Sequence, residues 1–141
     1  FSKLYILGIA SKNGVVDIYI NNFINIILVW NTGIGFGLFS SENNLFYNII
    51  TTIITSINVL LIYMIFKSDK IRSFFLVIIV GGSLGNLFDR FYYSAVPDFI
   101  DLNYKGFHWF IFNLADVFIT LGIICLISME IFYYKKDKNV N

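Results

Sequence analysis

Three stretches of the chain carry almost nothing but apolar side chains. Leu45 to Phe66 has no charge at all, Ser73 to Tyr93 is apolar until Asp89 and Arg90, and Phe110 to Tyr134 is interrupted only by Asp116 and by Glu130 near its end. A helix crossing a hydrocarbon layer about 30 Å thick needs about 20 such residues, so the pattern predicts transmembrane helices over 45–66, 73–93 and 110–134. The apolar stretch Phe1 to Ala10 is too short to span, and it has neither the basic leader nor the cleavage site of a secretory signal. It reads as the tail of a first transmembrane helix that begins before residue 1. In the intervening segment, 11–44, VVDIYI and FINIILVW are rich in β-branched and aromatic residues and flank Asn21 and Asn22. Asparagine tolerates left-handed geometry, so a β-hairpin is expected there. The expected fold is an all-α membrane protein, a four-helix transmembrane bundle with its first helix truncated, carrying a small β-hairpin or β-cradle outside the cytoplasm. Neither a repeat nor a linker is visible, and 1–141 reads as one domain.

Charge orients these elements. Lys67 to Arg72 and Lys135 to Lys138 hold six of the ten basic residues, which places both ends in the cytoplasm. Ser11 to Asn44 and Ser94 to Trp109 then face the other side, with only Lys12 and Lys105 as basic residues. The rings of FHWF (Phe107 to Phe110) suit the headgroup boundary there.

Composition removes several function classes. With 57% hydrophobic and 13% charged residues, too few charges are present to cover a soluble globule. A net charge of +1 with no basic stripe argues against a nucleic-acid partner. The single cysteine, Cys125, leaves no intrachain disulfide and no metal-ligand spacing, so it is expected to be a packing residue, and neither metal nor cofactor is implied.

Acids within or beside a bilayer are costly, yet four of the nine, Asp89, Asp98, Asp101 and Asp116, gather on the outer side. Asp116 is expected about one turn inside the third span, with Asn113 three residues before it and Thr120 four after it on one helical face. Asn86, Asp89 and Arg90 repeat that spacing, with Asp89 placed to compensate Arg90; an asparagine and an ion pair of this kind also serve simply to tie helices together. For Asp98 and Asp116 the plainer reading is a helix cap or an interfacial acid. If the two converge, like-charge repulsion raises one pKa and the pair holds a single proton, which is the arrangement that activates water for peptide hydrolysis. Gly81, Ser83 and Gly85 satisfy the G-x-S-x-G pattern of serine hydrolases, but a nucleophile elbow needs a strand-to-helix turn and this stretch lies inside an apolar span. Gly81 and Gly85 are expected instead to let helices approach closely, and His108 to be an interfacial side chain beside Trp109. Two rivals remain from the residues alone. An ion-coupled transporter also keeps acids in its spans, although it usually shows paired halves and mid-bilayer sites; a non-catalytic scaffold would leave the acids dispensable.

Four boxes, in this order, resemble the lipoprotein signal peptidases (signal peptidase II) over essentially the whole chain. NTGIGFG (Asn31 to Gly37) is similar to that family's Asn-x-Gly-x-x-Phe box, GNLFDR (Gly85 to Arg90) to its Gly-Asn-x-x-Asp-Arg box, and VPDFID (Val96 to Asp101) and FNLADV (Phe112 to Val117) to the two boxes that bear its aspartates. The resemblance implies that Asp98 and Asp116 are a catalytic dyad, with Asn31, Gly33, Asn86, Asp89, Arg90, Asn113 and Ala115 binding substrate or shaping the site. It implies an aspartic endopeptidase of the bacterial inner membrane that needs no cofactor. Its substrates would be diacylglyceryl-modified prolipoproteins, cleaved at the extracytoplasmic face on the amino side of the lipidated cysteine, and its partners those substrates and membrane lipids, with the chain a monomer. Two departures stand out. Pro97 occupies a position where an aliphatic residue commonly precedes the dyad aspartate, and the first-helix box, Asp-Gln-x-Ser/Thr-Lys, is represented only by Phe1, Ser2 and Lys3, so that its Asp and Gln would precede residue 1.

Overall fold

The structure is a computed structural model that describes residues 1–34 and 43–138; Gly35 to Gly37 of the first box lie outside the described residues, as do Asn139 to Asn141. In chain order the elements are α1 (Ser2–Asn13), β1 (Asp17–Asn21), β2 (Ile24–Asn31), α2 (Asn44–Lys67), α3 (Lys70–Tyr93), β3 (Val96–Tyr104), β4 (Phe107–Phe112) and α4 (Leu114–Lys138). Three of the helices, over 44–67, 70–93 and 114–133, are long and apolar enough to cross a membrane. Their large side chains, such as Ile53, Leu60, Phe74 and Phe118, are exposed on the outside of the bundle. Cys125 is among the exposed residues of α4, so it is not the packing residue expected from its position in an apolar run.

Side-chain caps set where the helices begin. Asn43 Oδ1 accepts from the N–H groups of Leu45 and Phe46, and Asp69 Oδ1 from those of Ile71 and Arg72, satisfying donors that have no partner within the helix. Asp69 therefore starts α3 at Lys70, three residues earlier than the apolar pattern does. Glycine governs the contact between α3 and α4, but not at the positions the sequence suggests. A Cβ on Gly82 would lie 2.7 Å from Ala115 O, and one on Gly122 would lie 2.6 Å from Ile79 Cγ1, whereas Gly81 and Gly85 meet nothing within 4 Å.

Outside the bundle the strands form one antiparallel sheet in the order β1-β2-β3-β4. The β1–β2 hairpin is the expected one, but neither asparagine is left-handed. Asn21 instead accepts from the N–H groups of Phe23 and Ile24 with its side chain, an Asx turn. The second hairpin, β3–β4, goes beyond the sequence pattern. Its turn residues Lys105 (φ 50) and Gly106 (φ 80) both have positive φ, as two-residue hairpin turns require. Phe110 to Phe112 belong to β4, so α4 starts at Leu114 and not at Phe110. Pro97 sits on an inner strand, paired with Trp30, but the β4 ladder begins only at Ile100, so its missing N–H costs no bond to β4. His108 is not merely interfacial: its Nδ1 lies 2.8 Å from the carboxylate of Asp101, which is fully buried and also accepts from Asn103. Ile6 of α1 packs on Val16 and Phe99 beneath the sheet.

Candidate active site

The site forms where the sheet meets the C-terminal end of α3 and the N-terminal end of α4. Asn113 caps α4, its Oδ1 accepting from the N–H of Ala115, while Asp116, three residues later, accepts from the N–H of Asn113 at 3.0 Å. This reciprocal pair is a capping box with aspartate in the third helical position. It corrects two expectations: Asn113 is not on a helical face with Thr120, and Asp116 lies in the first turn of α4 and not a turn inside the span. The plain reading of Asp116 as a helix cap and its placement in a polar site are thus both true of one carboxylate, since Oδ2 serves the cap while Oδ1 accepts from Asn86 Nδ2 of α3 at 2.8 Å.

Asp98 reaches the same place from β3. It is 1% exposed, and its two oxygens accept from Asn113 Nδ2 at 2.6 Å and from Asn31 Nδ2 at 2.8 Å. Asn113 therefore bonds both aspartates, one through its side chain and one through its backbone. Burial pushes the Asp98 carboxyl up to about 6, with the charge of Asp116 adding to the rise; the two asparagine amides and Lys3 work in the opposite direction. Asn31 also fixes the chain that leaves β2, donating to Ile34 O and accepting from the N–H of Gly33.

Asp89 and Arg90 do not compensate each other. Successive side chains on a helix point about 100° apart, and the two find separate partners. Asp89 pairs with Lys3 of α1, whose Nζ also donates to Asn86 Oδ1 at 2.6 Å. Arg90 donates to the carbonyl oxygens of Gly33 and Thr32, and its guanidinium lies 5.9 Å from the Tyr47 ring centre, while the Tyr47 hydroxyl donates to Arg90 O. Lys3 is the residue that reasoning from charge patterns missed, and its match to the last position of the first-helix box was the one signal for it. Asp101 faces His108 and Asn103 and makes no bond to the other two acids. Ala115 contributes its backbone, to the cap and against Gly82. Among the described residues, no group of three or more His, Cys, Asp or Glu side chains is arranged to hold a metal.

Beside the Asp116 carboxylate a cavity of ≈190 Å³ opens between α2, α3 and α4, lined by Ser83, Asn86, Arg90, Asp116 and Thr120 and by Ile34, Ile54 and Ile119. Arg90 forms part of its wall and clamps the end of β2. Replacing it by alanine leaves buried carbonyls without their charged donor, so Arg90→Ala is expected to lower stability by about 2–3 kcal/mol and to impair activity with it. Thermal unfolding in detergent checks this; an unchanged melting temperature would show that the clamp is not structural.

The architecture is that of an integral membrane protein with two buried carboxylates held at one end of its bundle under a small sheet. Residues 1–132 match the family model described as signal peptidase (SPase) II, and the chain belongs to that family. A lipoprotein signal peptidase of Pelagibacter ubique (strain HTCC1062) is 51% identical over 138 residues, covering 98% of this chain and 83% of that protein. One from Thermodesulfovibrio yellowstonii (strain ATCC 51303 / DSM 11347 / YP87) is 38% identical over 137 residues, 97% and 85% of the two chains. Among solved structures, a bacterial membrane enzyme determined by the in meso method at 2.3 Å superposes with a TM-score of 0.72 at 28% identity, covering 96% of this chain and 85% of that one. A second, at 1.9 Å, gives 0.67 at 32% identity over 92% and 83%. Peptidase membership leaves the transporter reading without support.

Proposed function

We infer that this chain removes signal peptides from diacylglyceryl-modified bacterial prolipoproteins, using Asp98 and Asp116 as an aspartic dyad. The observation that carries the reading is the single asparagine, Asn113, that binds both buried carboxylates. One carboxylate takes a proton from water as the hydroxyl adds to the carbonyl on the amino side of the lipidated cysteine. Its protonated partner donates to the carbonyl oxygen, and return of a proton to the amine breaks the C–N bond. Asn86, Asn31 and Asn113 hold the carboxylates in place, and Lys3, Asp89 and Arg90 hold the segments that carry them. The basic loop Lys67 to Arg72 argues for a cytoplasmic position of the far helix ends, which puts the dyad at the extracytoplasmic face of the inner membrane. Substrate enters sideways from the bilayer, and the chain acts as a monomer.

The test is processing of a diacylglyceryl prolipoprotein by the purified chain, read by mass spectrometry. A product beginning with the lipidated cysteine is expected, and an intact substrate would refute the reading. Titration offers a second expectation. The folded Asp98 carboxyl holds its proton up to about pH 6, against an ordinary value of 3.8, so folding binds that proton more tightly. The contribution of Asp98 to stability is then greatest below about pH 4 and declines as pH rises through 6, and kcat/KM declines over the upper part of the same range as the dyad loses its shared proton. Melting curves from pH 4 to 7 should show this slope in the wild type and a flatter profile in Asp98→Asn.

A further inference from the structure

The G-x-S-x-G stretch of α3 has no part in the chemistry above, yet its serine lies in the wall of the cavity below Asp116. Ser83 and Asn86 share a face of α3, three residues apart, so Ser83 stands about 4.5 Å deeper in the membrane than the asparagine that holds Asp116. Behind it is Asn58 of α2, only 1% exposed, whose Nδ2 donates to Ser83 Oγ at 2.7 Å and to Ile54 O at 2.8 Å. The Oδ1 of Asn58 is buried with no hydrogen-bond partner among the described residues.

An orphaned amide oxygen inside a membrane-spanning helix opposes stability, and leucine at position 58 would remove the penalty. Asparagine does one thing there that leucine does not. By occupying a lone pair of Ser83 Oγ it leaves the hydroxyl hydrogen as the group on offer, and the described residues give that hydrogen no acceptor. The cavity thus presents an oriented donor between isoleucine walls, and the Asp116 carboxylate lines the same space.

A signal peptide arriving from the bilayer as a helix keeps its carbonyls bonded to its own N–H groups. Near the scissile bond it must unwind to be cut, and each carbonyl freed inside the hydrocarbon layer needs a new donor. An extended chain advances about 3.3 Å per residue, so the depth of Ser83 matches one or two residues. We propose that the Ser83 hydroxyl, held as a donor by Asn58, binds the carbonyl oxygen of the substrate residue one or two positions before the residue that carries the scissile carbonyl. Ser83 is a substrate-binding residue and Asn58 positions it; the assignment rests on the peptidase reading above.

The experiment pairs enzyme and substrate changes. The probe is a synthetic diacylglyceryl-cysteine signal peptide in detergent micelles, with two analogues in which the peptide link at the first or second position before the scissile bond is an ester, whose carbonyl is a weaker acceptor. Ser83→Ala is expected to lower kcat/KM for the parent about tenfold and to have little further effect on one ester analogue, while Ser83→Thr, which keeps the hydroxyl, stays near wild type. Asn58→Leu should reproduce the ester insensitivity with an equal or higher melting temperature, a combination that a purely structural role does not give. Equal slowing of the parent and both esters by Ser83→Ala, or no slowing at all, would overturn the proposal. Failure of the wild type to cleave the parent would instead remove the peptidase reading, and this one with it.

Discussion

Asp98→Asn and Asp116→Asn are each expected to reduce prolipoprotein cleavage by a factor on the order of 10⁴. Asparagine preserves the size of the side chain but neither takes a proton from water nor holds the proton of a dyad. The substitution also has a structural cost that the geometry defines. Both oxygens of Asp98 accept from asparagine amides, and both oxygens of Asp116 accept from N–H groups, so an introduced amide nitrogen faces a donor at each site. That mismatch costs about 1–3 kcal/mol, which makes the melting temperature and binding of uncleaved substrate necessary companions to the rate. Acids that act as one dyad are not additive, so on this proposal the double variant should be scarcely slower than either single one. Substantial turnover by either single variant would rule out the dyad. Loss in both with binding intact would rule out the non-catalytic scaffold.

The helices were legible because the bilayer imposes a length on any apolar run, and 45–66 and 73–93 fall within α2 and α3. The second hairpin was not legible for a reason that also explains the site. VPDFIDLNY does not alternate apolar with polar in the usual sense, since Asp98 and Asp101 are buried together with Val96, Pro97 and Phe99. A strand that buries its acids reads as a loop. Phe110 to Phe112 illustrate a second limit, because a short apolar run next to a longer one is assigned to the helix although it closes the sheet. The overlong helix then placed Asn113 on a helical face, concealing the capping box that brings it to both carboxylates. The aspartates were singled out by the gathering of acids beside the spans, and the four boxes, not periodicity, then gave them their proposed role.

The other large effect is expected at Lys3. Adjacency in sequence suggested Arg90 as the partner of Asp89, yet the partner lies 86 residues away on α1, out of reach of any local pattern. Asp89 is buried and Lys3 largely so, and breaking a buried pair from one side costs about 3–5 kcal/mol because the remaining charge is stranded. Lys3→Met should therefore lower the melting temperature sharply. It should also slow cleavage, since Lys3 Nζ donates to the same Asn86 that holds Asp116. The pair can be tested as a cycle. Adding Asp89→Asn to Lys3→Met removes the stranded charge, so the double variant should recover most of the lost stability while its activity stays low, because Asn86 is still without its lysine. Recovery of both quantities would mean that Lys3 serves only to neutralise Asp89. Recovery of neither would mean that Lys3 is held in place by something other than this ion pair, and the link from α1 through Asn86 to the dyad would have to be abandoned.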